Sequence, residues 1–131
     1  SDALPQLRIV VDHLPNAQVP VGEEAAYHAD LLRLAERPNV FAKLAEIPQL
    51  GPHGLLTDTA FYHDRLAVLW EAFGEERCFF GSDWPNSDHL ADFATTLGLV
   101  KRCMADKPAV VQSKFFVHNA VRVYTPDAGA H

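Results

Sequence analysis

Three short apolar segments recur along this chain at the spacing of strands in a parallel α/β fold. They begin near Arg8, Val40 and Cys78, so the starts are 32 and 38 residues apart. One strand-helix-strand unit takes roughly 30 residues or more. Strand patterns at this spacing, with helical patterns between them, are typical of parallel strands joined by helices. We therefore expect an α/β fold with three parallel strands.

Each predicted strand ends in polar residues. The three segments are Leu7–His13, Asn39–Ile47 and Cys78–Pro85. The carboxyl ends of parallel strands share one rim, where side chains face a substrate instead of the core. His13, Glu46 and Asp83 are predicted at that rim, and Pro85 blocks continuation of the third strand. An acid directly after a buried strand is the strongest single indication of a site.

Helical periodicity fills the intervals between the strands. Apolar residues spaced three and four apart predict one buried face for each helix. The four sets are Tyr27, Leu31, Leu34 and Ala35; Tyr62, Leu66, Leu69, Trp70 and Phe73; Leu90, Phe93, Ala94, Leu97 and Met104; and Phe116, Ala120, Val123 and Tyr124. Gly74 is predicted just past the end of the second helix. Ser87 or Asp88 is predicted to cap the third.

Composition limits the environment and the partners. The chain is 48% hydrophobic and 21% charged, with a net charge of −6, which disfavours nucleic acid as a partner. No apolar run approaches the roughly 20 residues that span a bilayer, so we expect a cytoplasmic protein without membrane contacts. Cys78 and Cys103 lack metal-site or redox spacing, and we expect both to be free, buried thiols.

Four blocks in order resemble one known family. They are Arg8–His13, Pro38–Leu44, Phe73–Pro85 and Asn119–Tyr124. The chain resembles the amidohydrolase-2 group of the metal-dependent hydrolase superfamily, which includes fuconolactonase-like and dicarboxylate lactonase enzymes and related decarboxylases. The resemblance covers nearly the whole chain, and Phe73–Pro85 is its most specific part.

The resemblance implies that the chain is the C-terminal part of a TIM (β/α)8 barrel. The blocks look like strands six, seven and eight with their helices. A complete barrel takes about 250 residues, whereas this chain has 131. We therefore expect residues 1–131 to form one partial barrel domain that lacks the upstream half and its His-x-His motif. The expected partner is that missing half, or a second copy of the chain, and the isolated chain is expected to be inactive.

The resemblance also assigns two catalytic residues. Asp83 matches the strand-eight aspartate and His13 the strand-six histidine. Asp83 would act as general base on the water that attacks a lactone or a related cyclic ester or amide of a small-molecule substrate. It would also ligate a divalent zinc or manganese ion if one is bound, and metal-independent catalysis stays open. His13 would polarise the carbonyl as a neutral ring, or stabilise the developing oxyanion as a charged one.

Four further residues are candidates for contact with the substrate. Glu46 lies near the end of the second strand, and His53 lies in the loop that follows it. Trp84 and Asn86 follow Asp83, where the tryptophan could form a pocket wall and Asn86 could bind substrate hydroxyls. A structural aromatic and a helix-capping amide are the alternatives for these two residues.

Two more charged residues need partners because the strands around them are apolar. Lys43 is predicted to fill the barrel interior or to pair with an acid. Asp12 is predicted to face the outer helices, since neighbouring side chains in a strand point to opposite faces and His13 faces the rim.

Other functions stay open beside hydrolysis. A metal-dependent decarboxylase of the same group is the nearest alternative. Two further alternatives are a catalytically silent half-barrel and a small α/β module that binds a metabolite without turnover. An upstream segment carrying His-x-His would favour the enzyme.

Overall fold

The computed structural model describes residues 7–13 and 19–125, and it has the predicted parallel α/β arrangement. The strands and helices follow in the order β1 (Ile9–Val11), α1 (Glu24–Ala35), β2 (Val40–Leu44), β3 (Leu50–Gly51), β4 (Gly54–Leu55), α2 (Thr59–Phe73), β5 (Cys78–Phe80), α3 (Phe93–Cys103), α4 (Ala109–Ser113), a π-helical segment (Lys114–His118) and α5 (Asn119–Tyr124).

The main sheet consists of the three predicted strands in the order β1-β2-β5, all parallel. Ile9 pairs with Val40 across the first ladder, and Ala42 pairs with Cys78 across the second. The strands are shorter than the apolar segments that predict them. The segment after β2, predicted as a loop, contains the short antiparallel hairpin β3-β4.

The two faces of the sheet are covered differently. One face, called here the helix face, carries Val40, Ala42, Leu44 and Cys78, which pack with residues of α1, α2, α3 and the π-helical segment in the main core. On the opposite face Phe41 and Phe79 form a smaller cluster that includes Val10, Ala120 and Val123. Alternation along the strands therefore sends successive side chains into two separate clusters.

Helix α2 follows its sequence signals closely. The Asp58 side chain accepts a hydrogen bond from the backbone N–H of Ala60 and caps the helix. Gly74 follows the last turn with φ 71°, a conformation that suits glycine, so the predicted helix end is confirmed. The predicted apolar face is also confirmed, since Tyr62, Leu66 and Phe73 are buried.

Helix α3 starts later than predicted. Its cap is Asp92, whose Oδ1 accepts a hydrogen bond of 2.7 Å from the N–H of Thr95, and not Ser87 or Asp88. The cause is the long turn after β5, which holds the chain out of helical geometry up to residue 92. The predicted apolar face is also wrong in part, since the buried residues of α3 are Thr96, Leu99, Val100 and Cys103, while Phe93 is exposed.

Helices α4 and α5 run on from each other through the π-helical segment. Phe115 in that segment is fully buried and packs against Trp70, with ring centroids 5.6 Å apart. Asn119 is also buried, and its Nδ2 donates to the carbonyl oxygens of Glu75 and Cys78 at 2.7 and 2.8 Å. This amide ties the last helix to the start of β5.

The thiols of both cysteines are free and buried, as predicted. Burial raises the pKa of the Cys78 thiol to about 12, so that it stays protonated at neutral pH. In the described part of the chain, no helix combines the length and the apolar character needed to cross a bilayer.

Replacing Asn119 with alanine should destabilise the protein by about 2–3 kcal/mol, because two carbonyl oxygens lose a buried donor. Urea denaturation of the Asn119→Ala variant measures this loss. The control is His118→Ala, a change at the exposed neighbour, which should alter the free energy of unfolding by less than about 0.5 kcal/mol. Equal effects of the two changes would contradict the role given to Asn119.

Candidate functional site

The carboxyl ends of the three parallel strands share an uncommon backbone conformation. His13, Glu46 and Asp83 have φ of 70°, 49° and 56°, and they are the only non-glycine residues with positive φ in the described ranges. Each follows its strand within three residues. Left-handed backbone costs a non-glycine residue about 1–2 kcal/mol, and such strain concentrates at functional sites. All three sequence candidates at the rim therefore lie at tight reversals of the chain.

His13 and Glu46 contact each other across the first two strands. The Nδ1 atom of His13 lies 3.1 Å from Oε2 of Glu46, and about half of each side chain is exposed. The sequence predicted Glu46 as a substrate contact, and in the structure its nearest charged partner is the histidine. Glu46, which follows β2, thus contacts the side chain of His13, which follows β1.

A second cross-strand pair lies beside the first. Lys43 Nζ is 2.9 Å from Asp12 Oδ2, while Asp12 Oδ1 accepts a 2.7 Å hydrogen bond from the N–H of His13. The predicted pairing of Lys43 with an acid is confirmed. The prediction that Asp12 faces the outer helices is wrong, because His13 is not in extended conformation and strand alternation cannot be extrapolated through it.

The pair shifts the titration of both its members. Burial acts to raise the pKa of Asp12, but the hydrogen bonds from Lys43 and from the N–H of His13 outweigh it, so the pKa lies below its ordinary value. Burial acts to lower the pKa of Lys43, but the hydrogen bond to Asp12 and the nearby charges, that of Asp83 among them, raise it overall. Lys43 therefore also links Asp83 electrostatically to the β1-β2 pairs.

Gly81 makes room for the stem of Lys43. A Cβ atom at position 81 would lie 3.1 Å from Cδ of Lys43 and 3.2 Å from Cβ of Ala45. Those distances are too short for comfortable packing. Only glycine lets the lysine stem lie over the end of β5, which accounts for the glycine two residues before Asp83.

The turn after β5 holds Asp83 and its neighbours. Asn86 Nδ2 donates to Asp83 Oδ1 at 3.4 Å, so the predicted substrate contact Asn86 lies beside the predicted base. The Trp84 N–H donates to Ser82 Oγ, its peptide bond to Pro85 is cis, and its side chain is 59% exposed. Exposure leaves the tryptophan free to contact a bound molecule, as the sequence predicted.

His89, which comes directly after the predicted caps Ser87 and Asp88, lies in this turn and not in a helix. Its Nδ1 is 3.0 Å from the carbonyl oxygen of Asn86. The reason is again the late start of α3.

His53 belongs to the hairpin after β2 and not to a strand end of the main sheet. It occupies the exposed turn of the β3-β4 hairpin, which is held in place by the buried hydroxyl of Tyr62. That hydroxyl donates to the carbonyl oxygen of Leu56 and accepts from the N–H of Gln49. Within the described residues His53 has no hydrogen bond or ion pair with His13, Glu46 or Asp83.

The acidic, histidine and cysteine side chains of the described residues do not gather into a metal site. Among residues 7–13 and 19–125, no three histidine, cysteine, aspartate or glutamate side chains gather closely enough to hold an ion. Zinc sites need three or four protein ligands. The described residues therefore do not form a metal site by themselves.

Sequence reasoning missed the Asp12–Lys43 pair as part of the site. The signal was available in Asp12, which lies two residues after the inward-facing Val10 and so shares its face in an extended strand. The left-handed conformation of His13, Glu46 and Asp83 had no signal, since none of these residues is glycine.

The Asp12–Lys43 pair should make stability depend on pH at both extremes. The lowered pKa of Asp12 adds stability above about pH 4, which is lost as pH falls through the folded-state pKa. The raised pKa of Lys43 adds stability below about pH 10.5, which is lost as pH rises through the folded-state pKa. Since both groups are partly exposed, we expect Lys43→Met to cost only about 0.5–1 kcal/mol at pH 7.

Urea denaturation of the wild type and the variant across pH 3 to 11 measures this difference. It should shrink at both ends of the range. Lys101→Met, at an exposed lysine of α3 without an ion pair among the described residues, is the matched control. A difference that does not vary with pH would contradict the ion-pair explanation.

Comparison with known proteins gives a consistent picture. The model of the amidohydrolase family matches residues 1–125. The chain is 34% identical over 103 residues to an L-fucono-1,5-lactonase of Burkholderia ambifaria, a match that covers 76% of this chain and 34% of that protein.

Solved structures agree with this match. A crystal structure of an amidohydrolase from Burkholderia multivorans with bound zinc has a TM-score of 0.79 and 27% identity, covering 94% of this chain and 45% of that one. A 2-pyrone-4,6-dicarboxylic acid hydrolase of Pseudomonas putida has a TM-score of 0.67 and 26% identity, covering 89% and 42%. The chain thus spans between a third and a half of the length of these relatives. Because the family model covers nearly all of the sequence, the chain belongs to the amidohydrolase family.

Proposed function

We propose that this chain supplies the base and an electrophilic partner for the hydrolysis of a lactone. The observation that carries the proposal is the occurrence of His13 and Asp83 at the carboxyl ends of β1 and β5, the two outer strands of one parallel sheet, both with left-handed backbone. The resemblance to an L-fucono-1,5-lactonase supports a sugar lactone or a similar cyclic ester as the substrate.

In the proposed reaction Asp83 is the general base. Its carboxylate takes a proton from water while the water oxygen bonds to the carbonyl carbon of the lactone. The carbon–oxygen bond of the ring then breaks, and the proton held by Asp83 passes to the departing ring oxygen. The product is the open hydroxy acid, and no atom other than those of water is added.

His13 acts at the carbonyl oxygen in this scheme. A ring N–H aimed at that oxygen stabilises the negative charge that develops during attack. Lys43 pairs with Asp12, which accepts the N–H of His13, and this pairing is proposed to keep the ends of β1 and β2 in register. Asn86, which donates to Asp83, is proposed to orient its carboxylate, and the exposed Trp84 to form one wall of the substrate pocket.

We further propose that the chain is the C-terminal part of a (β/α)8 barrel. Within residues 7–13 and 19–125, no strand pairs with the outer edges of β1 and β5, and such edges seek further strands. The missing half of the barrel, or a second copy of the chain, would supply them. Activity is proposed for the completed barrel.

Binding of a divalent ion would also require the completed barrel. Asp83 offers one oxygen ligand for a zinc or manganese ion, and the remaining ligands would have to come from outside the described residues. The zinc-bound structure of the Burkholderia multivorans amidohydrolase supports such an ion in the family.

Changing Asp83 to asparagine should lower kcat of the native protein at least about a hundredfold, because the amide cannot accept the proton of water. Hydrolysis of L-fucono-1,5-lactone and of related aldonolactones, followed by acid release, measures kcat. Asp64→Asn, at an exposed carboxylate of α2, is the matched control and should keep wild-type turnover. Near-normal turnover of Asp83→Asn would contradict the assignment of the base.

Native mass spectrometry tests the barrel proposal. We expect a polypeptide, or an assembly, clearly larger than the 14.5 kDa of this chain, since three strands do not close a barrel. Metal analysis of the same sample measures any bound zinc or manganese. A monomer of 14.5 kDa that hydrolyses lactones would contradict the need for further strands.

A further inference from the structure

We propose that Glu46 is a positioning residue that fixes the tautomer of His13, and that it does not bind the substrate. The inference deepens the proposed function and rests on it for the role of His13. It begins from the 3.1 Å contact between Nδ1 of His13 and Oε2 of Glu46.

The chemistry of the two groups decides which ring nitrogen carries the hydrogen. An ionised carboxylate only accepts hydrogen bonds. At 3.1 Å the carboxylate forms an ion-pair contact with Nδ1, and a negative charge at that distance stabilises a hydrogen on Nδ1 and repels the lone pair of a bare nitrogen. Of the two neutral tautomers of His13, Glu46 selects the one with Nδ1–H.

The backbone on both sides supports a built contact instead of a chance one. Both residues have left-handed φ, at 70° and 49°. Histidine visits this region fairly often, but glutamate does so rarely. Glu46 thus keeps a strained backbone conformation, and in that conformation its side chain reaches His13 at the end of the neighbouring strand.

The other carboxylate near His13 is that of Asp12, and it already has hydrogen-bond partners. Asp12 is bound by Lys43 and accepts the backbone N–H of His13, so its carboxylate is held by groups other than the imidazole ring. Glu46 is accordingly the carboxylate in contact with the ring among the described residues.

The fixed tautomer determines what His13 presents to a substrate. With Nδ1 engaged by Glu46, Nε2 is the nitrogen left for the rim. Nε2 carries a hydrogen in this arrangement only when the ring is protonated, so the imidazolium is the form that donates to the carbonyl oxygen. Of the two roles that the sequence left open for His13, the geometry favours the charged one. The carboxylate–histidine pair of other hydrolases works by the same orientation.

Ring ¹⁵N shifts of His13, recorded by NMR on the native protein at a pH where the ring is neutral, test the tautomer directly. The wild type should show mainly Nδ1–H. Glu46→Gln should keep part of this preference, because the amide oxygen still offers Nδ1 an acceptor, whereas Glu46→Ala should shift the ring toward Nε2–H. An unchanged tautomer in Glu46→Ala would overturn the proposal, whether or not any lactone is hydrolysed.

Kinetics with the same variants separate positioning from substrate binding. Glu46→Ala should lower kcat at least about tenfold with KM changed less than about threefold, and Glu46→Gln should recover part of the loss. In a protein that already carries His13→Gln, Glu46→Ala should lower kcat little further. Glu71→Ala, at an exposed glutamate of α2, is the control and should match the wild type.

Two results would assign Glu46 to the substrate instead: a rise in KM as the main effect of Glu46→Ala, or full additivity with His13→Gln. A native protein without lactonase activity would remove the proposed function, while the tautomer result would stand by itself.

Discussion

Everything at the candidate site depends on the parallel ladder of β1, β2 and β5. The pairing of Ile9 with Val40 and of Ala42 with Cys78 sets the three strands in a fixed register. That register brings the carboxyl ends of the strands to one rim. His13 and Glu46 are 33 positions apart in the sequence, and Glu46 and Asp83 are 37 apart, yet each pair follows neighbouring strands. The apolar side chains of the helix face hold the ladder, and the last helix secures β5 through the buried amide of Asn119.

The rim is a small network of opposite charges. Asp12 pairs with Lys43, and His13 lies against Glu46, both across the β1-β2 ladder. Partly exposed pairs of this kind add little to stability. In the proposed reaction they would serve to orient side chains, since a base and an electrophile act together only when their atoms are held in place.

Much of this arrangement could be predicted from the sequence. The spacing of the apolar segments indicates three parallel strands, and His13, Glu46 and Asp83 stand out because they follow apolar runs. Tertiary geometry decides the rest. Because the turn after β5 is long, α3 begins only after the cap residue Asp92. Because His13 has a left-handed φ, the alternation of side chains along β1 does not extend to it, and the orientation predicted for Asp12 is therefore wrong. Neither the contact between His13 and Glu46 nor the space that Gly81 leaves for Lys43 has a local sequence signal.

A crystal structure of the native protein with a lactam analogue of a sugar lactone tests the central claim most directly, which is that the three strand ends form one hydrolytic site. The account predicts that the ring carbonyl oxygen lies about 3 Å from Nε2 of His13, with the carbonyl carbon facing the carboxylate of Asp83 and Glu46 still on Nδ1. An analogue bound away from these strand ends, or a histidine released from Glu46 in the complex, would contradict the account.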